Sequence, residues 1–213
     1  MSKSARNKNA RKNAQGKNAK NAKRKNALAQ RDTPWGSIAF FTVIGLVAVV
    51  AIGYTFMQTR SSSADSKSIA GLVVKEDLGR DHTTGTVQYD SDPPMGGDHD
   101  PAWQNCDGRL YDAPLRNENA VHSLEHGAVW ITYRPGLDTA QLDALKEKVD
   151  GTDYTMLSPY PTQDAPIKLT AWGHQLTLDD ASDARVNEFL RGFVKGPQTP
   201  EPGAACNGAK DTP

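Results

Sequence analysis

The sequence predicts a small α+β domain outside the cytoplasm, with an antiparallel or mixed sheet and two to three helices, preceded by one transmembrane helix. Three observations lead there. Residues 35–57 contain no charged side chain. The chain on either side of that run carries opposite charge. Beyond residue 69, strand-like and helix-like segments follow one another without regular alternation, which is the signature of α+β rather than α/β architecture.

The charge asymmetry is hidden in a whole-chain net charge of zero. Residues 1–31 hold eleven Lys and Arg and no acidic residue, whereas from Arg60 onward there are fourteen basic and twenty-four acidic residues. Ends of such different charge face different surroundings. The arm, residues 1–34, is built from Lys, Asn, Ala and Arg with too little apolar surface to offset its conformational entropy, so it reads as disordered. Lysine-rich arms bind phosphate non-specifically. Next to a membrane span, however, the arm more simply anchors the N-terminus in the cytoplasm and touches anionic headgroups. No specific nucleic-acid partner is expected.

The run Trp35–Met57 is 23 residues long. At 1.5 Å per residue a helix of that length extends roughly 34 Å, enough for a hydrocarbon core of ~30 Å. Trp35 and Tyr54 stand near its ends as interfacial anchors. The run exceeds a signal-peptide core, and no small-residue cleavage site follows it. The positive-inside rule then places the C-terminal domain outside a cell membrane crossed once. Residues 58–68 read as a polar tether.

Residues 69–195 form the predicted domain. Gly71–Lys75, Thr86–Tyr89, Ala128–Tyr133, Tyr154–Leu157, Ile167–Trp172 and Gln175–Leu178 have strand composition. Residues 90–119, with Pro93-Pro94, Gly96-Gly97, Pro101 and Pro114, read as a long irregular loop, and loops of that length are functional, disordered or pinned. Asn117–His126 reads as a short helix capped by Asn117 or Asn119 and stopped by Gly127. Leu137–Val149 is amphipathic, with Asp138 and Gln141 resembling a capping box. Ala184–Val194 stacks Val186, Phe189, Leu190 and Phe193 at helical spacing. Residues 196–213 form a tail rich in proline, glycine and small residues, flexible unless pinned by a disulfide. Cys106 and Cys206 are the two cysteines. On the oxidising side of a membrane their pairing is the default, closing a loop worth up to ~4.7 kcal/mol in the entropy model. The alternative, free thiols in a metal or redox role, lacks Cys-x-x-Cys spacing.

Chemistry concentrates in Val121-His122-Ser123-Leu124-Glu125-His126-Gly127. On a helix His122 and His126 share a face, about 5–6 Å apart at Cβ, and Glu125 reaches the same side. His-x-x-Glu-His is also the spacing of a metallopeptidase motif in which glutamate is the general base. Here the helix ends at once and no second helix offers a further ligand. The bland alternative is that His122 and His126 hydrogen-bond the adjacent loop, with Glu125 orienting one of them. His82 and His99, both on loops, extend the cluster to four imidazoles from three segments. Such a set suits zinc or cupric copper, with Asp98 and Asp100 as acceptors orienting the rings. Met95 and Met156 are too few for a cuprous methionine site, although one of them could be an axial ligand. His174 reads as a strand-end surface residue. Trp103, Trp130, Tyr111 and Tyr133 read as core, with a pocket lining as the alternative.

The series His82…Val87-x-Tyr89…Pro93-Pro94-x-x-Gly97-x-His99…Trp103…Gly108-x-x-Tyr111…His122-Ser123-Leu124-Glu125-His126-Gly127…Tyr133-x-Pro135, with Leu169-Thr170-Ala171-Trp172-Gly173 and the closing helix, resembles the actinobacterial-type domain of unknown function 3105 family over about residues 69–195. The resemblance implies that His82, His99, His122, Glu125 and His126 occupy motif positions, and a basic arm with a single span agrees with it. It implies no activity. Three functional readings follow from the residues. The first is metal handling or delivery of copper or zinc through His82, His99, His122, Glu125 and His126, with an envelope or membrane protein as recipient. The second is a non-enzymatic accessory or assembly factor of a membrane complex. The third is a metal-dependent hydrolase using Glu125 as base.

Overall fold

The computed structural model describes residues 39–53 and 69–213, which fall into two separate units. Residues 39–53 form helix α1, and its apolar side chains, among them Phe40, Phe41, Val47 and Ile52, are exposed. Among the described residues no helix is long and apolar enough to cross a membrane. The two ends of the apolar run, the basic arm and the tether lie outside the described residues.

The second unit is α+β, built on a mixed six-stranded sheet. Its strands are β1 (Leu72–Val74), β2 (Asp107–Leu110), β3 (Val129–Tyr133), β4 (Thr155–Pro159), β5 (Ile167–Ala171) and β6 (His174–Leu178), and its helices are α2 (Asn117–Glu125), α3 (Thr139–Val149) and α4 (Ala184–Phe193). The order across the sheet is β1-β6-β5-β3-β4-β2. The β3–β4 and β2–β4 pairs are parallel, and the other three pairs are antiparallel. The parallel β3–β4 pair is joined through α3, because parallel neighbours need a crossover, whereas β5 and β6 meet through the two-residue turn Trp172-Gly173.

Both faces of the sheet are covered, and the period-two alternation of a strand divides its side chains between two cores. Val129 and Ile131 of β3 enter one core, with Leu157, Leu169 and Leu176 of the neighbouring strands, Leu145 and Val149 of α3, and Val186, Phe189 and Phe193 of α4. Trp130 of β3 enters the other, with Met156, Val121 and Leu124 of α2, Tyr111, Trp172 and both cysteines. Each fully buried side chain of this size contributes about 1.5–3 kcal/mol, so Trp130 and Phe189 anchor the opposite faces. Of the four aromatics expected in the core, Trp130 and Tyr111 are buried, while Tyr133 and Trp103 are half-buried.

Several local expectations change. Thr86–Tyr89 is not a strand: the Val87 N–H donates to Glu118 Oε1 at 2.9 Å, so a side chain satisfies the backbone where a neighbouring strand was expected. Conversely, β2 lies inside the segment read as irregular loop, and it extends the parallel part of the sheet. Gly108 interrupts that strand because its φ of 80° produces a register irregularity, and a Cβ there would meet Gly151 N at 2.6 Å. Helix α2 is capped by Arg116 without a side-chain bond, rather than by an asparagine. The Asp138 cap of α3 is as expected, accepting from Ala140 and Gln141 N–H, but the Gln141 side chain accepts from Ala181 N–H instead of closing a capping box.

Cys106 and Cys206 are joined in a disulfide with Cα atoms 4.8 Å apart. The tail returns to the domain on both sides of this bond. Glu201 N–H donates to Glu125 O, Gly203 N–H to His126 O, Cys106 N–H to Cys206 O and Asn105 N–H to Lys210 O. Residues 196–213 therefore run across the end of α2, where the histidines lie.

Candidate metal centre

Helix α2 is unusual for a short helix in being buried from Glu118 to its end although most of those residues are polar. Its polar groups are satisfied by one segment, residues 100–104, laid along it. The carbonyls of Asp100, Ala102 and Gln104 accept, in turn, from His122 Nδ1 at 2.6 Å, Asn119 Nδ2 at 2.5 Å and Ser123 Oγ at 2.6 Å. Satisfying buried donors in this way removes the desolvation penalty they would otherwise carry. Gly127, at φ 104°, turns the chain from α2 into β3, and a Cβ there would press on Lys195 Cα at 3.1 Å.

The same wrapping fixes the ring tautomers. His99 Nδ1 donates to Gly97 O at 2.8 Å, His122 Nδ1 to Asp100 O and His126 Nδ1 to Ala205 O at 2.7 Å. An imidazole with its Nδ1 proton committed to a carbonyl presents a bare lone pair at Nε2, the arrangement found behind metal-ligating histidines. The orienting acceptors are thus backbone carbonyls. Asp98 and Asp100, expected to orient rings through their carboxylates, do otherwise: Asp98 Oδ1 accepts from Asp81 N–H and Asp100 Oδ2 from Arg116.

The structure brings His82, His99, His122 and Glu125 together, with one donor atom from each lying within 4.8 Å of all the others. Donors about 2.0–2.2 Å from a common ion stand about 3.4 Å apart in a tetrahedron and about 4.2 Å apart when trans, so a small contraction would close the set around one cation. His82 stacks on His122 with ring centroids 4.9 Å apart, and His99 lies 4.9 Å from His82 and 4.8 Å from His122. His126 is adjacent, its ring edge-on to His122 at 4.6 Å, but it is not one of the four; its Nε2 faces Glu201 at 3.9 Å. Trp103 covers His122 and His126, and the edge of Trp172 meets His99.

Within the four, His99 Nε2 is 3.0 Å from Glu125 Oε2, both side chains are buried, and Nε2 has no hydrogen-bond partner. With Nδ1 donating to Gly97, a neutral His99 ring turns a bare Nε2 lone pair towards Glu125, two acceptors that only a proton or a cation can join. A cation resolves that opposition. The His122 ring resists protonation: burial pushes its pKa down to about 4, opposed by the hydrogen bond to the Asp100 carbonyl and aided, each by less, by the imidazoles of His126, His99 and His82. It is therefore a neutral ligand at neutral pH.

Arg116, which carries no motif of its own in the sequence, clips the three segments that supply the donors. Its guanidinium donates to Asp100 Oδ2 at 2.5 Å and to Thr84 O and Gly85 O at 3.1 and 3.0 Å, and it pairs with Glu118 Oε2 at 3.1 Å. The only sequence signal is an arginine directly before the helix. His174 lies apart, at the start of β6 against Phe193, on a half-open cavity of about 630 Å³.

Residues 81–208 match the family described as "Protein of unknown function (DUF3105)". No curated protein and no solved structure matches the chain.

Proposed function

The chain belongs to the family described as protein of unknown function (DUF3105), a premise that carries no chemistry, and from the geometry we propose that its folded domain binds one transition-metal ion, copper(II) or zinc. His82, His99, His122 and Glu125 hold the ion and His126 stands beside it. The carrying observation is the convergence of the four donor atoms within 4.8 Å, with the buried His99 Nε2 3.0 Å from Glu125 Oε2. The donor set contains nitrogen and oxygen and no sulfur, which suits zinc and cupric copper better than cuprous copper. The disulfide withdraws both cysteines from ligation.

In this reading residues 35–57 span the membrane once, with the basic arm in the cytoplasm and the domain outside. The charge asymmetry supports that orientation. The role is metal handling or delivery to an envelope or membrane protein rather than turnover. A hydrolase would need Glu125 free to act as base, yet Glu125 is itself among the four donors. A purely architectural role within a membrane complex would have His99 protonated and paired with Glu125, the competing reading of the same contact.

The test is metal content and titration of the full chain in detergent, beside His122→Ala. Stoichiometric zinc or copper that disappears in a variant with unchanged circular dichroism supports the reading. No binding to the wild type at micromolar metal ends it.

A further inference from the structure

The four donors are not equivalent. His99, His122 and Glu125 are buried, and His82 is exposed. The two buried rings are locked by Nδ1 bonds to backbone carbonyls. Among the described residues the His82 ring makes no hydrogen bond and is held by its contacts with His99 and His122 alone. Its loop, residues 79–86, is exposed apart from the half-buried Thr83. That loop is fastened at the backbone: Thr83 N–H donates to His99 O at 2.7 Å, His99 N–H to Asp81 O at 3.0 Å, and Arg116 holds Thr84 O and Gly85 O. The main chain is thus fixed by hydrogen bonds, whereas the imidazole is held by ring packing without one.

Resting on the metal reading above, we propose that His82 is the exchange ligand through which the ion enters and leaves, while His99, His122 and Glu125 form the seat that retains it. The three seat side chains are buried and His82 is the exposed member of the four, so an incoming donor meets the ion where His82 stands. The recipient chemistry follows. A partner presenting an imidazole or carboxylate takes the place of His82 in the coordination sphere, one metal–nitrogen bond breaking as another metal–ligand bond forms, with no change in oxidation state. The neighbouring His126 and the exposed Glu201, 3.9 Å apart, are not needed for this exchange.

The experiment loads the full chain in detergent with zinc and follows release to a colorimetric zinc chelator by stopped flow. It compares wild type, His82→Ala, His82→Gln and His122→Ala, each checked for fold by circular dichroism. The two His82 variants are expected to keep one zinc per chain and to release it roughly 10–100-fold faster, while His122→Ala holds none. Two results overturn the inference: loss of stoichiometric zinc in folded His82→Gln, which would make His82 part of the seat, or release from both His82 variants at the wild-type rate. A wild type that takes up no zinc or copper removes the metal reading itself, a failure distinguishable from either of these.

Discussion

Replacing Glu125 with glutamine separates a metal seat from a buried ion pair. If the metal-free domain holds His99 neutral, its Nε2 lone pair and Glu125 Oε2 oppose each other at 3.0 Å, with both side chains at or below 4% exposure. In Glu125→Gln the new side-chain amide would place an N–H against Nε2 and turn the opposition into a hydrogen bond. Leaving a buried polar group unsatisfied costs about 1–3 kcal/mol, so the metal-free Glu125→Gln protein is expected to be more stable than wild type by that amount. For a chain of this size 1 kcal/mol corresponds to about 2–4 °C, so its Tm should rise by several degrees. The same change removes an anionic ligand, so the Tm increment on adding zinc should shrink. The assay is thermal unfolding, with and without chelator, followed by near-ultraviolet circular dichroism. If chelated Glu125→Gln is instead less stable than chelated wild type by about 1 kcal/mol or more, His99 and Glu125 form a protonated structural pair, and the argument from opposed acceptors is wrong.

Three further outcomes follow. His122 has a folded-state pKa of about 4 against 6.5 when unconstrained, so the unfolded chain takes up the proton first; the metal-free protein should keep its stability above pH 6.5 and lose up to about 3 kcal/mol as pH falls towards about 4, read from denaturant midpoints across that window. Arg116→Ala should weaken zinc affinity about 10–100-fold without touching a ligand, and Arg116→Lys should not restore it, because an ammonium cannot span four acceptors as the guanidinium fork does; competition titration measures both. Cys106→Ser/Cys206→Ser should lower stability by about 2–5 kcal/mol, since the bond closes a separation of 100 residues and fixes the tail over α2; denaturant unfolding under oxidising and reducing conditions checks this.

The parts legible in sequence were those written in local pattern. Strands β3 to β6 announce themselves by β-branched and apolar residues at short spacing, α3 and α4 by apolar residues at helical spacing, and α2 by the histidine motif bounded by Gly127. What escaped depends on partners far along the chain. β2 is a strand only because β4 accepts it in parallel, while Asp107-Gly108 reads locally as a turn. Thr86–Tyr89 has strand composition but finds Glu118 instead of a neighbouring strand. Helical spacing could not decide between Glu125 and His126, three and four residues after His122. That choice is made by where the rings lie: Glu125 converges with His82, His99 and His122, while His126 Nε2 faces Glu201 of the tail at 3.9 Å. The ring-orienting groups were sought among aspartates and proved to be main-chain carbonyls, which no side-chain pattern records.

The central claim is a single ion held by imidazole nitrogen and carboxylate oxygen. X-ray absorption at the metal edge of the loaded full chain tests it most directly. The account predicts a first shell of nitrogen and oxygen at about 2.0–2.2 Å, with outer-shell scattering from three imidazoles, reduced to two in His82→Ala. A sulfur shell near about 2.3 Å, or scattering from fewer than two imidazoles in the wild type, would contradict it.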